Sequence, residues 1–136
     1  MSASAPLEFL DTNILVYAFS TDARCIRAED LLRKGCTASV QGLNEFANVA
    51  RCKLGMDWGE TDEALSIVRT LCARIVPIDI DTHALGMALA SRHGFAVFDA
   101  IMLAGALRAE CTTFWSEDLQ SGMLVEERLR VENPFR

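Results

Sequence analysis

Short apolar segments alternate along this chain with stretches of helical periodicity, and no other feature narrows the possible folds as much. The segments LEFL, CTASV, IVPI and TTFWS each have the length of a short strand. Between them, apolar residues recur every three or four positions, as Leu43, Phe46, Val49 and Ala50 do. This order predicts an α/β fold, in which right-handed crossovers join a parallel sheet that helices cover on both faces.

Turn and capping residues set the expected limits of the six predicted helices. Gly35 and Gly94 are expected to end the second and fifth helices. Thr61 or Asp62 is expected to cap the fourth helix, and Asp81 the fifth. A turn in EDLQSG and a last strand within RLRVENPF complete the expected order of elements.

Length and composition indicate one domain over residues 1–136. The hydrophobic fraction is 51% and the charged fraction 24%, which are ordinary values for a globular chain. The net charge is −6, the wrong sign for binding nucleic acid through a basic face alone. Carboxylates that hold metal ions would themselves add negative charge, so a nucleic-acid substrate stays open.

The cysteines and the N-terminus predict a cytoplasmic protein. The cysteines are odd in number and form no C-x-x-C pair, so we expect reduced core residues and neither a disulfide framework nor a zinc site. They are Cys25, Cys36, Cys52, Cys72 and Cys111. The N-terminal sequence MSASAPLEFL lacks a basic region and a long apolar run, so no signal peptide is expected. No stretch stays apolar for the roughly 18 residues that a membrane span requires.

Four acidic residues lie where a parallel sheet collects functional groups, beyond the carboxyl ends of its strands. Asp11 follows the first strand directly, and Asp118 follows TTFWS after one residue. Asp99 begins the most apolar helix, and Glu45 lies on the third helix among apolar residues. Taken singly, each has a local explanation. Asp11 and Asp99 could cap helices, Asp118 could form a turn, and Glu45 could flank an amphipathic helix.

Taken together, the four acids indicate a metal site. Two unit charges about 4 Å apart repel by roughly 4 kcal/mol at an effective dielectric constant near 20, and helix capping requires no such cluster. Mg²⁺ or Mn²⁺ would offset this repulsion, because hard cations prefer oxygen ligands. The two histidines, His83 and His93, share a different helical segment and offer no rival ligand set. A site of this kind suits phosphodiester hydrolysis.

Four short motifs resemble those of a known family. The sequences DTN after the first strand, NEF on the third helix, DAIMLAGAL, and SEDL after a late strand look like the four signature elements of PIN domains. The resemblance runs from about Leu7 to the NPF near the C-terminus. In length, the chain is most similar to the toxin ribonucleases of VapBC-type toxin–antitoxin pairs. The resemblance implies a three-layer α/β/α sandwich and metal-dependent endoribonuclease activity.

The resemblance also implies roles for single residues. It carries the acidic quartet of the family onto Asp11, Glu45, Asp99 and Asp118. These would bind one Mg²⁺ or Mn²⁺ ion, with a second ion about 4 Å away left open. Asn13 matches the amide of the first motif and Ser116 the hydroxyl before the last acid, and both would orient carboxylates or water.

Three kinds of partner follow from the same resemblance. The substrate is expected to be RNA, and a cognate antitoxin would cover the active site with its C-terminal segment. Toxins of this family are commonly dimers, so a homodimer is expected. Arg51, Arg92 and Arg108 are candidates for substrate contacts, with ordinary solvated surface positions as the alternative.

Two other functions stay open at this point. A phosphoacceptor or phosphatase domain on a similar sheet would need a lysine after a late strand, or a second Asp two residues after the first. The chain has no lysine beyond Lys53 and carries Asn13 at the second position, which counts against both. The other alternative is a binding module that keeps the fold without the chemistry, and the complete acidic quartet argues against it.

Overall fold

The structure is a computed structural model that describes residues 7–136. Residues 1–6, part of the stretch in which the sequence predicts no signal peptide, lie outside the described residues. Six helices are present between residues 7 and 136: α1 (Thr12–Ala18), α2 (Cys25–Arg33), α3 (Val40–Cys52), α4 (Trp58–Leu71), α5 (Ile80–His93) and α6 (Val97–Arg108). The strands of the same range are β1 (Glu8–Leu10), β2 (Thr37–Ser39), β3 (Arg74–Val76), β4 (Thr113–Trp115), β5 (Leu124–Val125) and β6 (Leu129–Glu132).

The strands form one sheet in the order β3-β2-β1-β4-β6-β5. All neighbouring strands are parallel except β5 and β6, which form an antiparallel edge. The mainly parallel sheet is therefore confirmed. The sequence did not reveal β5, because a strand of two residues is too short to show any periodicity.

The sheet separates two apolar clusters and thereby produces three layers. Successive side chains of a strand point to opposite faces, so Phe9 packs in one cluster and Leu10 in the other. The Phe9 cluster is covered by α5 and α6, whereas the Leu10 cluster is covered by α1 to α4. The expected α/β/α sandwich is confirmed. The extent of the domain over residues 1–136 stays a prediction.

Two helix starts differ from the sequence-based expectation. Helix α4 begins before Thr61, because Asp57 and Glu60 form a capping box in which each side chain accepts a backbone N–H of the other. Helix α5 is capped by Asp79, whose Oδ1 accepts the Thr82 N–H at 2.8 Å. The prediction of Asp81 as the cap was wrong, because Asp81 lies inside the first turn of α5.

The cysteines follow the core expectation in part. All five lie in residues 7–136, and all are free thiols there. Cys36, Cys72 and Cys111 are buried, whereas Cys52 is exposed and Cys25 is half-buried, so the expectation was wrong for those two. Burial raises the pKa of Cys36 to about 12 and the pKa of Cys72 to about 11, so both thiols stay protonated at neutral pH.

Hydropathy finds no single helix in residues 7–136 that is long and apolar enough to cross a bilayer. Helices α5 and α6 together reach the required length and composition, but the chain bends by 119° between them. Helix α6 is buried along most of its length against the sheet.

Candidate functional site

Asp11 lies at the joint between β1 and α1, and the residue is only 6% exposed. Oδ1 accepts the Thr12 N–H at 2.7 Å, so the side chain caps α1 as one interpretation of the sequence held. Oδ2 accepts the Ser116 hydroxyl at 2.7 Å. Leu10 and Trp115 are paired in the parallel ladder, so the residues that follow them, Asp11 and Ser116, emerge side by side. The sheet register thus brings the first and last motifs together.

The pKa of Asp11 reflects both its burial and the charges of other acids. Burial raises its pKa to about 6, and the negative charges of Asp99 and Asp118 raise it as well. The hydrogen bonds from Ser116 and Thr12 act in the opposite direction, because they stabilise the carboxylate. At neutral pH, Asp11 is therefore an ionised group held in a poorly solvated place close to two other acids.

Asp99 occupies the first turn of α6 and is half-buried. Burial raises its pKa, and the charges of Asp118 and Glu45 raise it further. The N-cap of α6 is Ala96, with no side-chain hydrogen bond, so the capping interpretation of Asp99 is wrong. A carboxylate in a first turn gains from the positive end of the helix dipole, which helps a crowded acid to ionise.

Glu45 is held at the margin of α3 by two hydrogen bonds. Its Oε1 accepts the Thr12 hydroxyl at 2.8 Å, and its Oε2 accepts the Gln41 amide at 2.7 Å. Phe46 and Ala50 bury the apolar face of the helix, which draws the neighbouring Glu45 toward the interior. Glu45 thus lies beside the DTN motif, and the contact with Thr12 connects α3 to the joint that holds Asp11.

Asp118 is exposed in the turn that follows β4. The turn is held by Ser116, whose hydroxyl oxygen accepts the N–H groups of Asp118 at 3.2 Å and Leu119 at 3.3 Å. One hydroxyl therefore serves both ends of the site, because it donates to Asp11 and accepts from the backbone at Asp118. These are the contacts through which Ser116 would take the orienting role that the resemblance implies.

Asn13, in the first motif, carries an amide with no hydrogen-bond partner among the described residues. Its Oδ1 and Nδ2 are both buried. A buried amide without partners costs about 1–3 kcal/mol for each group, so such a residue is kept where it can serve a ligand or an ordered water. Asn13 lies two residues beyond Asp11 in the first turn of α1.

The side chains of this site offer oxygen ligands, the chemical kind of ligand that a hard divalent cation prefers. Asp11, Asp99, Asp118 and Glu45 provide carboxylates, and the buried Asn13 amide adds an unsatisfied oxygen. Within residues 7–136, however, no three Asp, Glu, His or Cys side chains are close enough to hold an ion by themselves. Mg²⁺ commonly keeps several waters and takes only one or two carboxylates, so the donor set fits such an ion.

Comparison with protein families identifies the family that most of the chain matches. The family model described as the PIN domain matches residues 9–120, which include all four acids. The chain belongs to the PIN domain family. No curated protein matches it with significant similarity.

Solved structures share this PIN fold at low sequence identity. A chain of a toxin–antitoxin complex from Klebsiella pneumoniae is 21% identical with a TM-score of 0.71, and the match covers 96% of this chain and 98% of that one. FitAcB from Neisseria gonorrhoeae is 20% identical with a TM-score of 0.67, over 94% and 98% of the two chains. VapC20 of Mycobacterium tuberculosis, a toxin described as cleaving the sarcin–ricin loop, is 18% identical with a TM-score of 0.66, over 79% and 86%.

Two of the three arginines predicted to contact substrate lie in ion pairs of this PIN domain. Arg92 pairs with Glu126 at 2.6 Å. Arg108 faces Asp79 at 3.6 Å from the C-terminal end of α6, about 14 Å along the helix from Asp99 at 1.5 Å per residue. Among residues 7–136, no ion pair joins Arg92 or Arg108 to any of the four acids.

Sequence reasoning missed several groups that support the acids. Thr12 and Gln41 both donate to Glu45. The spacing of Gln41 and Glu45 at i and i+4 on a helix was a usable signal, because such residues are neighbours on its surface. The Tyr17 hydroxyl donates to Glu117 at 2.6 Å, and Arg24 pairs with Glu117 at 3.0 Å. No signal within the sequence predicts the contact of Tyr17 with Glu117, which is a neighbour of Asp118 and not itself one of the four acids.

Proposed function

We propose that this PIN domain is a divalent-metal-dependent endoribonuclease. The observation that carries the proposal is the convergence of the acids beyond the carboxyl ends of β1 and β4, where Ser116 joins Asp11 to the turn that holds Asp118 and Thr12 joins Glu45 to the same joint. Burial raises the pKa of Asp11 and of Asp99, and the charges of the neighbouring acids raise both further. Such crowding opposes folding unless a cation or a reacting group benefits from it. Two of the crowded groups follow adjacent parallel strands, which is where α/β proteins place their active sites.

In this proposal each acid has its own task. Asp11 and Asp99 would hold a Mg²⁺ or Mn²⁺ ion, and Asp118 would complete the site directly or through a water. A bound divalent ion polarises a phosphoryl oxygen and makes a bound water more acidic. Glu45 positions the attacking water and accepts its proton, and the hydrogen bonds from Thr12 and Gln41 fix the direction of its carboxylate. Ser116 and Asn13 orient Asp11 and nearby water.

We also propose that the protein is the toxin of a type II toxin–antitoxin pair, acting as a homodimer in the cytoplasm. The matches to a toxin–antitoxin complex from Klebsiella pneumoniae, to FitAcB, and to VapBC2 from Rickettsia felis support a cognate antitoxin as partner. RNA as the substrate is supported by the description of VapC20 as a toxin that cleaves the sarcin–ricin loop.

The proposal is tested by RNA cleavage with purified protein. The wild type is expected to cut single-stranded RNA in Mg²⁺ or Mn²⁺ and to stop when EDTA is added. Asp99→Asn should lower the rate by roughly 100-fold or more, the scale seen when one electrostatic contact to the developing charge is lost. Asp81→Asn is the matched control, because Asp81 is a 75% exposed acid beside Arg108 at the far end of α6. RNA that is bound and never cut at high protein concentration would instead identify a catalytically silent module.

A further inference from the structure

Helix α3 carries a polar row that begins at the proposed catalytic site and leads away from it. Glu45, Asn48 and Arg51 follow one another at intervals of three residues, so they are neighbours on one slanting line of the helix surface. Asn48 and Arg51 are exposed, and the exposed Asn44 lies beside Asn48. The row therefore offers amide and guanidinium groups to solvent directly beyond the acid.

The row ends at an aromatic ring. Trp58, the first residue of α4, is 63% exposed, and the Arg51 guanidinium lies 4.4 Å from the centroid of its ring. Arg51 is fixed in this place because its NH1 donates to the Met56 carbonyl at 2.9 Å. The Arg51 guanidinium thus covers one face of the indole, and much of the indole surface remains exposed to solvent. A rigid arginine–tryptophan pair is the kind of platform on which nucleic-acid bases stack.

The α3 part of this surface carries more basic than acidic residues although the chain is acidic overall. From Thr37 to Met56, Glu45 is the sole acidic residue, whereas Arg51 and Lys53 are basic. The next two acids, Asp57 and Glu60, are bonded to each other's backbone in the capping box of α4. Asp62 and Glu63 follow on α4, so the basic groups that a phosphate backbone would meet lie on the α3 side of Trp58.

We propose that the Glu45–Asn48–Arg51 row and Trp58 bind single-stranded RNA, with one base stacked on the exposed indole and the Asn48 amide available to a neighbouring base edge. The proposal rests on the ribonuclease function proposed above and adds how the substrate is held. Amide side chains and aromatic faces are the groups that recognise the splayed bases of single-stranded RNA, whereas duplex RNA hides its base edges.

The helix sets the distance between the stacked base and the cut. Arg51 lies six residues beyond Glu45, which is about 9 Å along the axis at 1.5 Å per residue. The base on Trp58 is therefore expected a few nucleotides from the cleaved phosphate rather than next to it.

The first test measures binding of a short, unstructured, fluorescently labelled RNA to the full chain in EDTA, where the RNA stays intact. Trp58→Ala should weaken binding by roughly 5- to 100-fold, the loss typical of one base–aromatic stack, and Trp58→Phe should retain most of the affinity. Ile26→Ala is the matched control, because Ile26 is a 74% exposed apolar residue on α2. Equal affinity of the wild type and Trp58→Ala would overturn the inference.

The second test replaces the bases of the RNA one at a time by abasic nucleotides. One abasic position should weaken binding to the wild type and have no further effect on Trp58→Ala, since the same stack is already lost. Abasic penalties that are identical in both proteins would overturn the inference. So would an unchanged RNA affinity of Trp58→Ala together with a changed oligomeric state in light scattering, because Trp58 would then contact a second copy of the chain.

The two proposals can fail separately. A wild type that cuts no RNA in Mn²⁺ but binds RNA through Trp58 contradicts the ribonuclease function and leaves the binding surface standing. A Trp58→Ala variant that cuts RNA with the KM and the abasic profile of the wild type contradicts the binding surface and leaves the ribonuclease standing.

Discussion

Asp11 shows how one residue serves both local structure and chemistry. Its Oδ1 caps α1, while Oδ2 accepts a hydrogen bond from the hydroxyl of Ser116, which follows β4 and lies more than 100 residues away in sequence. The capping role and the site role are therefore compatible, because they use different oxygens. Because the carboxylate is buried in this position, its pKa is raised to about 6, and the charges of Asp99 and Asp118 raise the pKa as well.

This raised pKa predicts how stability depends on pH. The folded state favours the protonated acid, so the free energy of unfolding should fall as the pH rises from 3.8 to about 6. The ionised form costs the folded state about 3 kcal/mol above that range. Asp11→Asn still caps the helix, and it should therefore match or exceed the wild type in stability above pH 6 in EDTA, with the difference vanishing below pH 3.8.

Chemical denaturation of both proteins at the two ends of this pH range measures the effect. Asp11→Ala is the control, because it removes the cap acceptor and leaves the Ser116 hydroxyl without its partner. It should be less stable than Asp11→Asn by about 1–2 kcal/mol at either pH. An Asp11→Asn protein that is clearly less stable than the wild type above pH 6 would show that the charged cap outweighs the cost of burial.

At the scale of elements, the contact between α5 and α6 fixes the position of Asp99. Gly86 on α5 faces Ile101 on α6, and a Cβ at Gly86 would lie 3.0 Å from Ile101 Cγ1 and 3.2 Å from its Cα. The close approach thus needs glycine, since the α6 backbone has no room for the added atom. Gly105, on α6 itself, has more space, with Val76 Cγ2 at 3.7 Å from the place of its Cβ.

The two glycines predict opposite outcomes for the same substitution. Gly86→Ala should lower the free energy of unfolding by about 1–3 kcal/mol, because overpacking pushes α6 away, and it should slow RNA cleavage by displacing Asp99. Gly105→Ala should leave the protein as stable as the wild type or raise its stability by up to about 1 kcal/mol, because alanine favours helix over glycine. Thermal melts and cleavage rates of both variants give the comparison. A Gly86→Ala protein as stable and active as Gly105→Ala would contradict the tight contact.

At the scale of the whole molecule, the sheet divides the core into two apolar clusters, and the acids lie beyond the carboxyl ends of its central strands. The two apolar clusters lie on opposite faces, with Phe9 in one and Leu10 in the other. Asp11 follows directly on β1, at the end of the seam between these faces. The acids are carried, preceded or followed by β1, β4, α1, α3 and α6. A ligand that neutralises the acids would therefore stabilise the contacts among these elements at the ends of the strands.

A divalent cation is thus expected to raise the melting temperature. A ligand that binds only the folded state stabilises it by about 2.7 kcal/mol at 100 times its Kd, so Mn²⁺ should shift the melt of the wild type by several degrees. Asp99→Asn should respond little, whereas Asp81→Asn should respond as the wild type does, because Asp81 lies outside the site. The measurement is a thermal melt with Mn²⁺ against EDTA. Equal shifts in all three proteins would contradict a cation held by Asp99.

Much of the fold was visible in the sequence because its signals are local. Alternating strand and helix patterns predicted the parallel sheet and its two helical layers, and both are confirmed. Helix starts were less predictable where several acids compete as caps. Asp79 rather than Asp81 caps α5, and Asp57 rather than Thr61 or Asp62 caps α4, because the choice depends on which backbone N–H each carboxylate reaches.

The sequence by itself determined the fold class and the acids worth examining, since periodicity and strand ends are properties of short segments. Only the tertiary structure decided which oxygen of which acid each supporting group contacts. The parallel pairing of Leu10 with Trp115 places Ser116 against Asp11, and the packing of α3 places Glu45 against Thr12. These contacts join residues 105 and 33 positions apart, and the register and packing that create them depend on the whole sheet and its helices.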